Sequence, residues 1–155
     1  MEIGDMFPGF VLNDENGERF DSKELEGVRY VIYFYPKDNT SGCTKEALEF
    51  TELISKFMMR NIPVIGVSRD SPASHRKFID KYGLKVKLIS DPDHVLTEAV
   101  GAWGLKKLYG KEYEGVFRST FIVGKDGKVE AVWKNVKVAG HAENVLERAI
   151  SLLKS

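Results

Sequence analysis

The sequence holds one cysteine, Cys43, and no glutamine, and its 23 Lys plus Arg are matched by 23 Asp plus Glu, leaving no net charge. Each shortage excludes something. A lone thiol cannot close an intramolecular disulfide, and structural zinc sites draw on several cysteines. Zero net charge removes the basic surplus of a nucleic-acid binder or of a protein drawn to anionic lipid, so neither partner is expected. The longest unbroken apolar run, Tyr30 to Tyr35, is far short of the roughly 20 residues that span a bilayer. The first residues carry Glu2 and Asp5 but no early Lys or Arg, unlike a signal peptide, and a cytoplasmic location is expected. Neither G-x-G-x-x-G nor G-x-x-x-x-G-K-S/T occurs, which argues against a phosphate-cradling loop. His75, His94 and His141 lack metal-ligand spacing and each follows a turn or helix-start signal, so surface or capping positions are expected for them, with no metal and no cofactor. The missing glutamine, beside abundant Lys and Glu, resembles a thermophile's usage, but four Met and the thermolabile Asn16-Gly17 turn oppose it.

What is present suits one globular domain over residues 1–155, with 43% hydrophobic and 30% charged side chains. Phe10 to Phe20 reads as a hairpin turning at Asn16-Gly17. Val28 to Tyr35 is β-branched and aromatic throughout, the pattern of a central strand covered on both faces, and it stops at Pro36. The turn formers of PKDNTSG then lead into a long helix with Ala47, Phe50, Ile54 and Phe57 on one stripe, and Cys43 lies at its start. Pro63 to Ser68 is a second buried strand, and Ser71-Pro72 opens a helix that Gly83 closes beyond Tyr82. A short strand is expected at Lys87 to Ser90, a helix at Pro92 to Val100, and a glycine-punctuated loop from Gly101 to Gly115, with Trp103 and Tyr109 packing it against the body. Val116 to Gly124 and Lys128 to Lys134 read as strands joined at Lys125-Asp126-Gly127. A last helix runs from about His141 to Leu153 with Val145, Ala149 and Leu153 on its apolar side. Early parallel crossovers and a late antiparallel hairpin predict an α/β fold of the thioredoxin type, a mixed sheet flanked by helices with an N-terminal hairpin extension.

Cys43 is the residue that can carry chemistry. A free thiol's pKa of about 8.5 falls at a helix N-terminus or beside a cation, where the unpaired first-turn N–H groups favour the thiolate. The competing reading is an inert core thiol, but a helix start behind a Pro/Asn/Gly turn is a poor place to pack one. Thr40 lies just ahead, where its hydroxyl either reaches the sulfur or a bound oxygen, or simply caps the helix. Pro36, Thr40 and Cys43 together read P-x-x-x-T-x-x-C.

That motif, with GVSRDSPASHRKFIDKYGLKVKLISDPDH, GAWG and FRSTFIVGKDGKV, resembles the peroxiredoxins of the bacterioferritin comigratory protein, or peroxiredoxin Q, group along almost the whole chain. The resemblance implies a thiol peroxidase that reduces hydrogen peroxide and small organic hydroperoxides, serving antioxidant defence. Cys43 would attack the peroxide and become a sulfenic acid, Arg118 would hold the thiolate and the peroxide, Thr40 would orient the peroxide, and Pro36 would shield the sulfur from water. Glu46 would either orient Arg118 or face solvent in the first turn. Two departures stand out: Leu48 occupies the position of the group's common resolving cysteine, and Ser41 replaces a usual proline. With no second thiol, an external one (thioredoxin, a glutaredoxin or a small thiol) would have to reduce the sulfenic acid. A monomer or weak homodimer is expected. The rival class is a non-catalytic thioredoxin-fold binding or holdase protein with a vestigial cysteine. A Cys-His protease drawn from Cys43 with His94 or His141 lacks any local signature.

Overall fold

The computed structural model describes residues 1–154. Its centre is a seven-stranded sheet built from β1 (Val11–Asp14), β2 (Arg19–Asp21), β3 (Tyr30–Phe34), β4 (Val64–Ser68), β5 (Lys87–Ser90), β8 (Ser119–Val123) and β9 (Val129–Trp133), in the order β2-β1-β5-β4-β3-β8-β9. The strands β3, β4 and β5 are parallel, while β8 joins β3 and β9 joins β8 antiparallel. This is the expected mixed sheet of the thioredoxin type. Both crossovers are helical, through α1 (Ser41–Met58) and α2 (Pro72–Tyr82), and with the short α3 (Val95–Ala99) and the C-terminal α4 (His141–Leu153) they complete the fold. Among the described residues no helix is long and apolar enough to cross a membrane.

Every residue of β3, β4 and β8 is buried, because these central, mostly apolar strands have cover on both faces. Side-chain alternation divides the core accordingly. Val31, Tyr33 and Tyr35 pack with Ala47, Phe50 and Phe57 of α1, Phe78 of α2 and Val145 of α4. Ile32 and Phe34 pack on the other side with Phe7 and Phe10 of the N-terminal segment and Leu96 of α3. The ring of Tyr33 stacks on Phe50 at 4.8 Å between centroids, a contact worth about 0.5–1.5 kcal/mol beyond its area, and this pins the middle of α1 onto β3. The Tyr33 ring has room because its neighbour in register is Gly66, where a Cβ would come within 2.8 Å of it. The caps of α2 are as the sequence predicts: the Ser71 Oγ accepts from the Ser74 N–H at 3.1 Å, and Gly83 takes φ +63°.

The structure departs from expectation in several places. Residues 101–115 are no loop: β6 (Trp103–Leu108) and β7 (Lys111–Val116) form a separate two-stranded hairpin, turning at Tyr109 (φ 51°) and Gly110 (φ 76°), the positive-φ pair of a tight turn. Val116 therefore ends β7, and the next strand starts only at Ser119. Trp103 is half-buried and stacks on His94 at 4.0 Å, but Tyr109 sits at the hairpin tip and is 96% exposed, so it packs against nothing. The helix expected from Pro92 begins at Val95, where Asp91 caps it by accepting from the N–H groups of Val95 and Thr97. Leu153 is 42% exposed, and Leu146, Val145 and Ala149 supply the buried face of α4.

Candidate active site

Thr40 occupies the N-cap position of α1 and Cys43 is the third helical residue, which places the thiol in the first turn among N–H groups that have no partner within the helix. Contrary to expectation, this helix start does pack into the core, and Cys43 is only 2% exposed. From the segment between β7 and β8, Arg118 reaches across and donates from Nη2 to the Cys43 Sγ at 3.3 Å and from Nη1 to the Glu46 Oε1 at 2.7 Å. A single guanidinium thus bridges the thiol and a carboxylate one turn further along the same helix.

Gly42 makes this approach possible. A Cβ there would stand 3.3 Å from the Arg118 Nη2, in the space through which the guanidinium reaches the sulfur. Position 42 showed no such role in the sequence, since the tight contact involves a residue far along the chain. Thr40 is exposed and its hydroxyl donates to the Lys37 carbonyl at 2.8 Å rather than capping the helix or reaching Cys43. Pro36 lies exposed just past β3. Of the four residues expected to form the site, Cys43 and Arg118 are in direct contact, and Glu46 joins them as the partner of Arg118.

The electrostatics follow from burial. Glu46 is 1% exposed and its second carboxylate oxygen has no hydrogen-bond partner. Burial outweighs the pull of Arg118 and pushes its carboxyl up to about 7. Burial works to lower the Arg118 guanidinium, but Glu46 and the Cys43 sulfur beside it hold it above its usual value. Tyr33, whose hydroxyl has no hydrogen-bond partner among the described residues, is held neutral by burial and then by Glu46 and Cys43 beside it. His141 is not at the surface: it is 4% exposed, its Nε2 lies 2.8 Å from the Thr120 Oγ1, and its ring meets Phe50 and Trp133 edge-on. Burial and then Arg118 depress it to about 4.

These two shifts act oppositely on stability. Glu46, raised from 4.5 to about 7, contributes stability that is complete below pH 4.5 and lost as pH rises through 7. His141, lowered from 6.5 to about 4, contributes stability that is present above pH 6.5 and lost as pH falls through 4. Each is worth about 3 kcal/mol, so between roughly pH 4.5 and 6.5 their slopes nearly cancel. Urea unfolding across this range is expected to show stability rising with pH in Glu46→Gln and falling with pH in His141→Asn, relative to the parent. Parallel slopes in all three proteins would show that neither group is shifted as described.

A family model described as the AhpC/TSA family matches residues 3–132. A putative peroxiredoxin bcp of Helicobacter pylori is 45% identical over 147 residues, covering 95% of this chain and 97% of that protein. Peroxiredoxin Bcp of Bacillus subtilis is 42% identical over 147 residues, covering 95% and 94%. Among solved structures, a cysteine-to-serine mutant of PrxQ from Xylella fastidiosa superposes with a TM-score of 0.93 at 37% identity, over 99% of this chain and 98% of that one. A cysteine-to-serine mutant of peroxiredoxin Q from Xanthomonas campestris gives 0.88 at 41% identity, over 92% and 90%. A cysteine in the first turn of its helix, met by an arginine from the segment just ahead of β8, thus sits in a chain that belongs to the AhpC/TSA family and, within it, to the Bcp or peroxiredoxin Q group.

Proposed function

We propose that this chain is a one-cysteine thiol peroxidase acting on hydrogen peroxide and small organic hydroperoxides, with Cys43 as nucleophile. The observation that carries this reading is the 3.3 Å contact between the Arg118 guanidinium and the Cys43 sulfur at a helix N-terminus. A fixed cation and the helix dipole both favour thiolate, the form that attacks. The thiolate sulfur bonds to one peroxide oxygen as the O–O bond breaks. Sulfur is oxidised to sulfenic acid, and the departing hydroxide or alkoxide takes a proton to leave as water or alcohol. Arg118 and the Cys43 backbone N–H stabilise the charge developing on the oxygens. The Thr40 hydroxyl spends its proton on the Lys37 carbonyl, which leaves its lone pairs to accept from the O–H of the incoming hydroperoxide.

Resolution falls to an external thiol, because Cys43 is the only cysteine in the sequence. A thiol of thioredoxin, a glutaredoxin or a small molecule attacks the sulfenic sulfur, releasing water and forming a mixed disulfide, and a second thiol then frees Cys43. Since Cys43 is 2% exposed, the first turn of α1 must open before a protein thiol reaches it. Stoichiometric peroxide is expected to add oxygen at Cys43 alone, read by intact mass and peptide mapping, and to leave the four Met unmodified. A thiol no more reactive than the methionines would favour a binding or holdase protein with a vestigial cysteine.

A further inference from the structure

The turn that delivers the chain from β3 to Cys43 is anchored by a residue buried among exposed neighbours. Pro36, Lys37, Asn39 and Thr40 are exposed, while Asp38 is 6% exposed. Three donors converge on its carboxylate: the Tyr35 hydroxyl at 2.6 Å on Oδ1, and the Ser74 hydroxyl at 2.8 Å and His75 Nδ1 at 2.7 Å on Oδ2. Its backbone N–H donates to the Asp70 Oδ2 at 2.8 Å.

His75, in α2, has no solvent exposure, against the surface position expected for it. While Nδ1 faces the Asp38 carboxylate, Nε2 lies 3.1 Å from the Ile89 carbonyl oxygen of β5. Carboxylate and carbonyl oxygens only accept, and a neutral imidazole has one N–H. The Tyr35 hydroxyl lies 3.4 Å from Nδ1 but has its proton on the Asp38 Oδ1, so beside an ionised Asp38 a neutral ring would set a bare nitrogen lone pair against one of these oxygens, in a setting with no solvent to relieve it. Protons on both nitrogens satisfy every group and balance the charge of Asp38. Of the other ionisable neighbours, Tyr35 is kept neutral by burial and by Asp38, and the Asp70 carboxylate accepts from the Asp38 N–H and the Ser68 hydroxyl.

We infer that His75 is a buried imidazolium whose ion pair with Asp38 positions the turn that presents Cys43 to Arg118. Helix α2 grips this turn twice: Ser74 and His75 hold Asp38, and Tyr82 and Lys81 donate to the Oδ1 of Asn39, which sits at φ 61°. Only Thr40, Ser41 and Gly42 separate that grip from Cys43, and the Thr44 N–H to Thr40 carbonyl bond closes the first helical turn between them. Arg118 arrives from the β8 side and the Asp38–His75 pair from the α2 and β5 side, so the sulfur's place is set by two supports that share no residue. His75 touches no reacting atom and is a positioning residue. Its role rests on Cys43 being the reactive thiol proposed above.

Nitrogen NMR of the ring in the full-length protein at neutral pH is expected to show both nitrogens protonated. In Asp38→Asn the ring is expected to become neutral, and alkylation of Cys43 by iodoacetamide to slow roughly tenfold or more as the turn shifts. A single protonated nitrogen in the parent overturns the inference, and it decides alone should Asp38→Asn not fold. Alkylation of a folded Asp38→Asn at the parental rate overturns the positioning role. Alkylation does not involve peroxide, so a protein inert to peroxide that still shows the imidazolium and the slowed alkylation would fail the peroxidase reading and support this one.

Discussion

Cys43→Ser is expected to leave peroxide consumption at the rate of the reductant alone, a loss on the order of 10⁴-fold or more, as for removal of other catalytic nucleophiles. A serine hydroxyl at this position ionises far less readily than a thiol, and an alkoxide forms no stable equivalent of sulfenic acid. No other thiol can take over, because the sequence contains one cysteine. The loss is separable from misfolding. Serine is close in volume to cysteine, and the new hydroxyl, buried where Cys43 is 2% exposed, costs about 1–3 kcal/mol if left unsatisfied, which a denaturation midpoint would register. The measurement is peroxide turnover with thioredoxin, glutaredoxin and a small dithiol run in parallel. Turnover in a folded Cys43→Ser comparable to the parent's would place the chemistry elsewhere.

Arg118→Ala is expected to slow sulfenic acid formation by roughly 10² to 10³-fold, about 3–4 kcal/mol of transition-state stabilisation. Two effects combine. The sulfur loses the cation 3.3 Å away that favours negative charge on it, and the peroxide oxygens lose their charged donor. Glu46 also loses its hydrogen-bond partner, and without the pull of Arg118 burial is expected to push its carboxyl further toward the protonated form. Arg118→Lys should restore little of the rate. The sulfur and the Glu46 oxygen are held by two different nitrogens of one planar fork, at 3.3 and 2.7 Å, and a single ammonium cannot reproduce that span. Stopped-flow measurement of sulfenic acid formation, with iodoacetamide alkylation beside it, separates the two effects. An unchanged rate in both would remove Arg118 from the site.

Local rules explain which parts of the molecule were legible in the sequence. The strands β3, β4, β8 and β9, the helices α1, α2 and α4 and the caps of α2 all follow from continuous apolar runs, helical periodicity and cap residues, which are properties of neighbouring positions. The β6–β7 hairpin was missed because Leu105, Lys106, Lys107 and Leu108 do not alternate strictly and its strands carry mostly exposed side chains. Its two strands satisfy each other's backbone, and Trp103 and Val116 at their base are what reach the core of the main sheet.

The buried histidines escaped for another reason. A histidine is accommodated in a core only where acceptors or donors face its nitrogens, and those for His75 come from Asp38 and Ile89, which lie 37 and 14 residues away. The partner of His141, Thr120, is 21 residues distant. No spacing rule encodes such meetings.

The sequence by itself determined that a lone cysteine heads a long amphipathic helix behind a polar turn, and that the sequence offers no second thiol of its own. Both are statements about adjacent residues and composition. That the thiol is buried, that Arg118 bridges it to Glu46 across 72 residues of chain to the carboxylate and 75 to the sulfur, and that Gly42 leaves room for it were decided only by the tertiary structure. The pairing of β3 with β8 brings Arg118 beside the start of α1, and charge acts through the distance in space that this pairing creates.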